Sequence, residues 1–483
     1  MFYLGIDCGG TFIKAALFDQ QGKMYACERK NVEIISDREG YAERDMNRLW
    51  QVCADVIRLT VQKSKIAPAL IEAVGISAQG KGAFLLDKNK RPLGRAILSS
   101  DQRATAIVKR WQQLAIPEII YPITSQALWS GHPVSILRWL KENEPERYTK
   151  INHVLMSHDY LRFCLTGKLH CEETNISESN LYNMNTGQYD PALTKLFGIE
   201  EIFDKLPPII KGNQIAGTIS SQAAKKTGLK TGTKVVGGLF DVVSTALCAN
   251  LQDEHTLNVV LGTWTIVSGV SAQFDQTSGL ICGRYIQDGK FIIHDDSPTS
   301  AGNLDWFINK WENITYSEVN KIVADLPPVS SSILFVPFLY GSNIKLGMQA
   351  GFYGLQSYHT QAHLLQAVYE GILFSLMYHL ERMKVRFPNI QILRITGGVT
   401  KSQVWLQMLA DLTGLILEIP QIEETGCFGA ALMAIQGARK DEKNAMIAQV
   451  AMQTIQPSKQ NFSLYQEKYQ RYQKLVDALS VMA

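Results

Sequence analysis

The chain has 483 residues, more than the roughly 250–300 at which a single hydrophobic core stops growing, so at least two domains are expected. Its net charge of +3, with basic residues interspersed among acidic ones, gives no argument for a nucleic-acid partner. No stretch approaches the ~20 apolar residues of a membrane helix, and eight cysteines without a Cys-x-x-Cys pair argue against a zinc site.

The cysteines read as small buried fillers in a reducing compartment, and a cytoplasmic location is expected. The N-terminus has no basic region and apolar core of a leader; it enters a strand-like run at residues 2–6. A glycine turn, Asp7-Cys8-Gly9-Gly10-Thr11, follows, and residues 13–18 form a second apolar run. A helix is predicted over 46–64, with Asp45 as its N-cap and apolar positions Leu49, Val52, Val56, Leu59 and Ile66. Strands are predicted at 71–76 and 83–86, separated by Ser77-Ala78-Gln79-Gly80-Lys81-Gly82. A helix is expected around 134–140, and an apolar run of strand length at 235–239 ends on Asp241.

The second half opens in the same way. A strand at 256–261, the turn Gly262-Thr263-Trp264-Thr265 and a strand at 266–270 repeat the strand–turn–strand device of the N-terminus. A strand at 390–395 then runs into Thr396-Gly397-Gly398 and a helix at 402–413, with Gly414 just past its end. Strands alternate with helices throughout, so the class is α/β. The expected boundary lies between residues 244 and 245.

The chemistry starts at Asp7, Gly9, Gly10, Thr11 and Lys14. Two glycines let backbone N–H groups approach an anion, Thr11 adds a hydroxyl, Lys14 a charge, and Asp7 a carboxylate for Mg²⁺ through water. An ordinary hairpin turn accounts for the same residues. It is not a Walker A loop, because the strand feeds another strand. Gly262 and Thr263 offer the same device, and two such turns opening two halves suggest a phosphate chain clamped between two domains. Gly397 and Gly398 before a helix, with Ser402, make a nucleotide-binding edge, or a plain strand-to-helix turn with Ser402 as N-cap. Asp241, after a strand end, is either a general base for an attacking hydroxyl or a helix cap. Gln79, Lys81, Asp101 and Arg103 at strand ends suit a polyol, or are surface turns. His132, His158 and His294 lack metal-ligand spacing and read as structural or substrate-edge groups.

These motifs resemble the FGGY carbohydrate kinases over the whole chain. Asp7–Thr11 looks like that family's first phosphate loop, Gly262-Thr263 like its second, and Gly238-Leu239-Phe240-Asp241 sits where the family carries its catalytic aspartate. Thr396-Gly397-Gly398 with Ser402, Trp405, Gln407 and Asp411 is similar to its adenosine signature. The resemblance implies two actin-like (ribonuclease H-like) domains, 1–244 and 245–483, with ATP and Mg²⁺ in the interdomain cleft. It implies a sugar held by Gln79, Gly80, Lys81, Asp101, Arg103 and Asp241, and leaves a homodimer open. Segments 77–82, 97–101, 130–135 and 175–182 resemble the branch acting on L-xylulose and 3-keto-L-gulonate. Gly80-Lys81 after Gln79 departs from the Arg-Glu pair of glycerol kinases, and Ala78-Gln79-Gly80 departs from the Met-His-Gly run of D-xylulose kinases. Trp264 stands where many members have serine. An FGGY kinase for another sugar (D-xylulose, L-ribulose or glycerol), a non-kinase actin-like ATPase and a sugar sensor are the alternatives; the intact Asp241 argues against the sensor.

Overall fold

The computed structural model describes residues 1–483 apart from 263, 277, 311–313, 343–346, 440–449 and 482–483. By packing, the chain divides into two units. The first is Met1–Cys248 with Ser271–Ile293 and Ile422–Val450; the second is Ala249–Val270 with His294–Gln421 and Ala451–Ala483. A single boundary at 244/245 does not describe this division, because Ser271–Ile293 and Ile422–Val450 group with Met1–Cys248.

In the first unit the central sheet runs Ile215–Thr218, Lys234–Val236, Ile71–Ala78, Phe2–Cys8, Phe12–Asp19, Met24–Asn31. Phe2–Cys8 and Phe12–Asp19 form an antiparallel hairpin, and Phe2–Cys8 lies parallel to Ile71–Ala78. The helix Met46–Ser64 packs on Phe12–Asp19 and Met24–Asn31. Its N-cap is Asp45, which accepts a hydrogen bond from the Arg48 N–H, and Lys65 in the left-handed region ends it (φ 58°). Ile66 therefore lies beyond the helix it was counted in.

The helix Thr425–Ala438 explains why a late segment joins this unit. It lies directly on Phe2–Cys8 and Ile71–Ala78. A Cβ on Gly5 would meet the Cys427 carbonyl oxygen at 1.8 Å, and one on Gly75 the Ala430 carbonyl oxygen at 1.9 Å. Only bare glycine backbone in both strands allows that approach. A second, largely helical core gathers Trp111, Ile120, Leu137, Leu140 and Phe197.

The apolar run at 235–239 is not one strand. It breaks into Lys234–Val236 and Leu239–Phe240, because Gly238 takes φ 97° between them. Gly237 there presses its backbone on Lys211, where a Cβ would stand 2.3 Å from the carbonyl oxygen. The buried Arg162 guanidinium donates to the Gly237 carbonyl.

The second unit repeats the hairpin device. Thr256–Leu261 pairs antiparallel with the strand Thr265–Ser271 and parallel with Ile392–Thr396. Ile416–Pro420 and Met452–Ile455 extend that sheet. The long helix Gln361–Arg386 is buried along its middle, from Leu365 to Met377. Inside, Lys468 and Glu370 are paired at 2.5 Å, 2% and 1% exposed.

Candidate functional site

Strand register sets the site in the first unit. Cys8 pairs with Ala78, and Ala78 with Phe240, all in parallel strands. The next residues, Gly9, Gln79 and Asp241, therefore leave the sheet together at the carboxyl ends of adjacent strands, where ligands bind in open α/β sheets. Asp7, Gln79 and Asp241 are all half-buried there, and Asp241 opens the helix Asp241–Cys248.

The turn between the first two strands is tightly organised. The Gly9 N–H donates to the Phe12 carbonyl at 3.0 Å, and the Val32 N–H to the Thr11 carbonyl at 2.8 Å. Gly10 and Thr11 are exposed, and a Cβ on Gly10 would meet nothing closer than Gln79 Oε1 at 3.7 Å. Lys14 does not point freely into solution: its Nζ lies 2.7 Å from Glu424 Oε2. Burial lowers the Lys14 pKa, but the Glu424 partner outweighs it and the net shift is upward. Glu424 has no sequence signal, being 410 residues away along the chain.

No hydrogen bond to the Asp7 carboxylate is found among the described residues. Burial pushes its pKa up to about 6, with Lys14 opposing and Glu424 adding to the rise. A Cβ on Gly426 would stand 2.5 Å from that carboxyl group, so the glycine in the first turn of Thr425–Ala438 makes the room Asp7 occupies.

Phe240 packs against Gly80, where a Cβ would meet the ring at 2.4 Å. Lys81 sits over the same ring at 5.5 Å with its Nζ 2.9 Å from the buried Glu178. The Lys81 backbone takes φ 62°, a position a non-glycine residue rarely adopts, and its N–H donates to Asn175 Oδ1 at 3.0 Å. His132, beside this pair, is buried and hydrogen-bonded to Asn180 at 3.1 Å. Burial, with the Lys81 charge, pulls its pKa down to about 3, so the imidazole is neutral. His158 is likewise buried, against Asn175 at 3.2 Å.

Asp101 and Arg103 are brought together in a buried network, in which Arg103 Nη1 alone of the guanidinium nitrogens lacks a hydrogen-bond partner among the described residues. Arg103 donates to Asp101 at 2.8 Å and to Glu43 at 2.7 Å, and stacks 3.9 Å from the Tyr41 ring. Asp101 also accepts from the Ala42 N–H at 2.7 Å. Their side chains are 0% and 1% exposed, so they brace the loop rather than open onto solvent.

In the second unit Val260 pairs with Thr396, so Leu261 and Gly397, then Gly262 and Gly398, leave the sheet side by side. Gly397 takes φ 95° with its backbone against Leu261, where a Cβ would meet the carbonyl oxygen at 2.5 Å. Gly398 faces open space. Ser402 caps the helix Gln403–Thr413 through the Trp405 N–H, and its hydroxyl donates to Asn320 Oδ1 at 2.6 Å. The Gly262 N–H donates to the Trp264 carbonyl at 3.1 Å, and the Trp264 side chain is 46% exposed. Thr263 lies outside the described residues. All eight cysteines are free, and no cluster of three or more metal-ligating side chains occurs among the described residues.

The N-terminal domain model of the FGGY family of carbohydrate kinases matches residues 2–248, and its C-terminal domain model matches 257–438. The chain is 64% identical to "Probable L-xylulose kinase" of Pasteurella multocida over 483 residues, covering 100% of this chain and 99% of that protein. It is 54% identical to "L-xylulose/3-keto-L-gulonate kinase" of Escherichia coli, covering 99% of this chain and 97% of that protein. Among solved structures, ligand-bound xylulose kinase from Lactobacillus acidophilus matches with a TM-score of 0.92 at 22% identity, over 99% of this chain and 98% of that one. Glycerol kinase from Plasmodium falciparum matches with a TM-score of 0.88 at 20% identity, over 99% and 98%. At such low identity the structural matches speak for the fold alone. Two family models across most of the chain, and relatives above half identity along all of it, make the chain a member of the FGGY family of carbohydrate kinases.

Proposed function

We propose that this carbohydrate kinase transfers the γ-phosphoryl group of ATP to the terminal hydroxyl of L-xylulose, giving L-xylulose 5-phosphate in pentose catabolism. The observation that carries the reading is 54–64% identity along the whole chain to relatives bearing that activity in their names. The proposal places the protein in the cytoplasm; a homodimer is compatible with it.

In this reading Asp241 takes the proton of the attacking hydroxyl, and the sugar is held by Gln79, Gly80, Lys81 and Asp241 with Asp101 and Arg103 bracing the loop behind. The phosphate chain is held by Gly9, Gly10, Thr11 and Lys14 of domain 1–244. Gly262, Thr263, Gly397, Gly398 and Ser402 of domain 245–483 serve the rest of the nucleotide. Direct in-line transfer needs positioning and charge stabilisation rather than a covalent enzyme intermediate. Asp7 fits a Mg²⁺ ion: its carboxylate is half-buried and without a hydrogen bond among the described residues. Mg²⁺ keeps several waters and takes one or two carboxylates beside phosphate oxygens; bound there it would neutralise phosphate charge.

A sugar acid, 3-keto-L-gulonate, is the second reading, prompted by the name of the Escherichia coli relative. The Lys81 ammonium, the candidate partner for its carboxylate, already faces the buried Glu178 at 2.9 Å. That pairing favours the neutral ketose. The test is ADP release with L-xylulose, D-xylulose, L-ribulose, glycerol and 3-keto-L-gulonate as acceptors. Turnover highest on L-xylulose is expected; turnover mainly on D-xylulose or glycerol would overturn the substrate, and ADP release independent of any sugar would overturn the kinase reading.

A further inference from the structure

The strand Glu43–Arg44 carries a guanidinium that none of the roles above uses. Arg44 is 1% exposed, and its Nη2 donates to the Gly10 carbonyl at 2.5 Å. Its Nε and Nη1 have no hydrogen-bond partner among the described residues. Two unpartnered nitrogens, carrying three N–H groups, on a buried cation are costly, so something other than stability keeps this side chain in place. A cavity of about 570 Å³ borders the same point, lined by Gly10, Thr11, Val32, Glu33, Arg44 and Arg48 among others.

The consequence lies in peptide geometry. In a planar trans peptide the C=O of Gly10 and the N–H of Thr11 point in opposite directions. With the carbonyl drawn down onto Arg44, the Thr11 N–H is turned to the other side of the loop. The next peptide is held too, because the Thr11 carbonyl accepts from the Val32 N–H at 2.8 Å. The Gly10 and Thr11 N–H groups donate to nothing among the described residues, and both residues are exposed. The loop therefore presents two adjacent unpartnered donors, of which the Thr11 N–H is fixed in direction by the held Gly10 carbonyl, above a buried positive charge.

We propose that Arg44 is a positioning residue for the first phosphate loop: it clamps the Gly10 carbonyl so that the Thr11 N–H, beside the open Gly10 N–H, faces the phosphate chain of the nucleotide. This rests on the reading that residues 7–14 bind phosphate. A glycine-rich turn is otherwise free to rotate this peptide, and a mixture of orientations would weaken anion binding.

The experiment uses the full chain and three variants, Arg44→Met, Arg44→Gln and Arg44→Lys. ATP binding is followed by calorimetry, and KM for ATP and for the sugar are measured separately. Losing one charge-assisted hydrogen bond and the direction it imposes predicts ATP affinity weakened about tenfold or more in Arg44→Met. KM for the sugar should stay within about twofold, and the unfolding temperature should be unchanged or higher, because the unpaired buried donors are gone. Arg44→Lys, which keeps a charged donor, should recover part of the ATP affinity. Arg44→Gln, a smaller change in polarity, supplies the same comparison if Arg44→Met does not fold. ATP affinity unchanged in a folded variant, or a parallel loss for ATP and sugar, overturns the proposal. Wild-type protein that fails to bind ATP would instead overturn the phosphate-loop reading on which it stands.

Discussion

Asp7→Asn should separate what the site needs from what the fold needs. The Asp7 pKa rises from 3.8 to about 6 in the folded chain, burial being the main cause. The sign follows directly. A raised carboxylate pKa means that the folded state holds its proton more tightly than the unfolded state, so ionising Asp7 disfavours folding. Below pH 4 both states are protonated and the residue is neutral in effect; between pH 4 and 6 wild-type stability falls relative to a variant that cannot ionise; above pH 6 the deficit is constant. The rise from 3.8 to about 6 corresponds to at most about 3 kcal/mol, and because Asp7 keeps some contact with water, about 1–2 kcal/mol is the working figure. Asn has nearly the same shape and no charge. The assay is the difference in thermal and urea unfolding midpoints between variant and wild type, at one-unit steps from pH 4 to pH 8. The expected curve starts near zero and climbs to a plateau above pH 6, with Asp7→Asn the more stable protein and sugar-dependent ADP release lost. A difference that is flat with pH, or a variant less stable at pH 8, would refute the argument that burial sets the state of this group.

Two further substitutions test neighbouring parts of the account. Asp241→Asn should abolish turnover, by about 10²–10⁴-fold for loss of a general base, while sugar affinity measured by calorimetry stays close to wild type; activity near wild type would remove Asp241 from the role. Gly75→Ala puts a Cβ 1.9 Å from the Ala430 carbonyl oxygen, backbone against backbone, and neither side can yield cheaply. A loss of about 3 kcal/mol or more is expected, read as lower soluble yield and a fall in the unfolding midpoint, and an unchanged midpoint would show that Thr425–Ala438 does not sit on this strand.

Local patterns made much of the architecture readable. Asp45 before an apolar stripe of helical period marked the start of Met46–Ser64, and Ser402 and Gly414 bracketed Gln403–Thr413, because caps act within one turn. The two glycine hairpins were legible for the same reason. Tertiary forces overrode the local pattern at 235–239, where an unbroken apolar run was split by close backbone approach at Gly237 and a positive φ at Gly238. Asp101 and Arg103 were legible as polar strand-end residues, yet nothing local told that they face each other and Glu43 with almost no exposure.

By itself the sequence determined which turns carry glycine and threonine, which helices start and stop where, and the order of motifs that marks the family. These depend on neighbours a few residues away. Only the tertiary structure decided that Glu424 meets Lys14, that Glu178 meets Lys81, and that Arg44 lies beneath Gly10. Those partners are separated by 410, 97 and 34 residues along the chain. An ion pair or a buried hydrogen bond depends on distance in space, and parallel strand register together with helix packing on bare glycine backbone sets that distance.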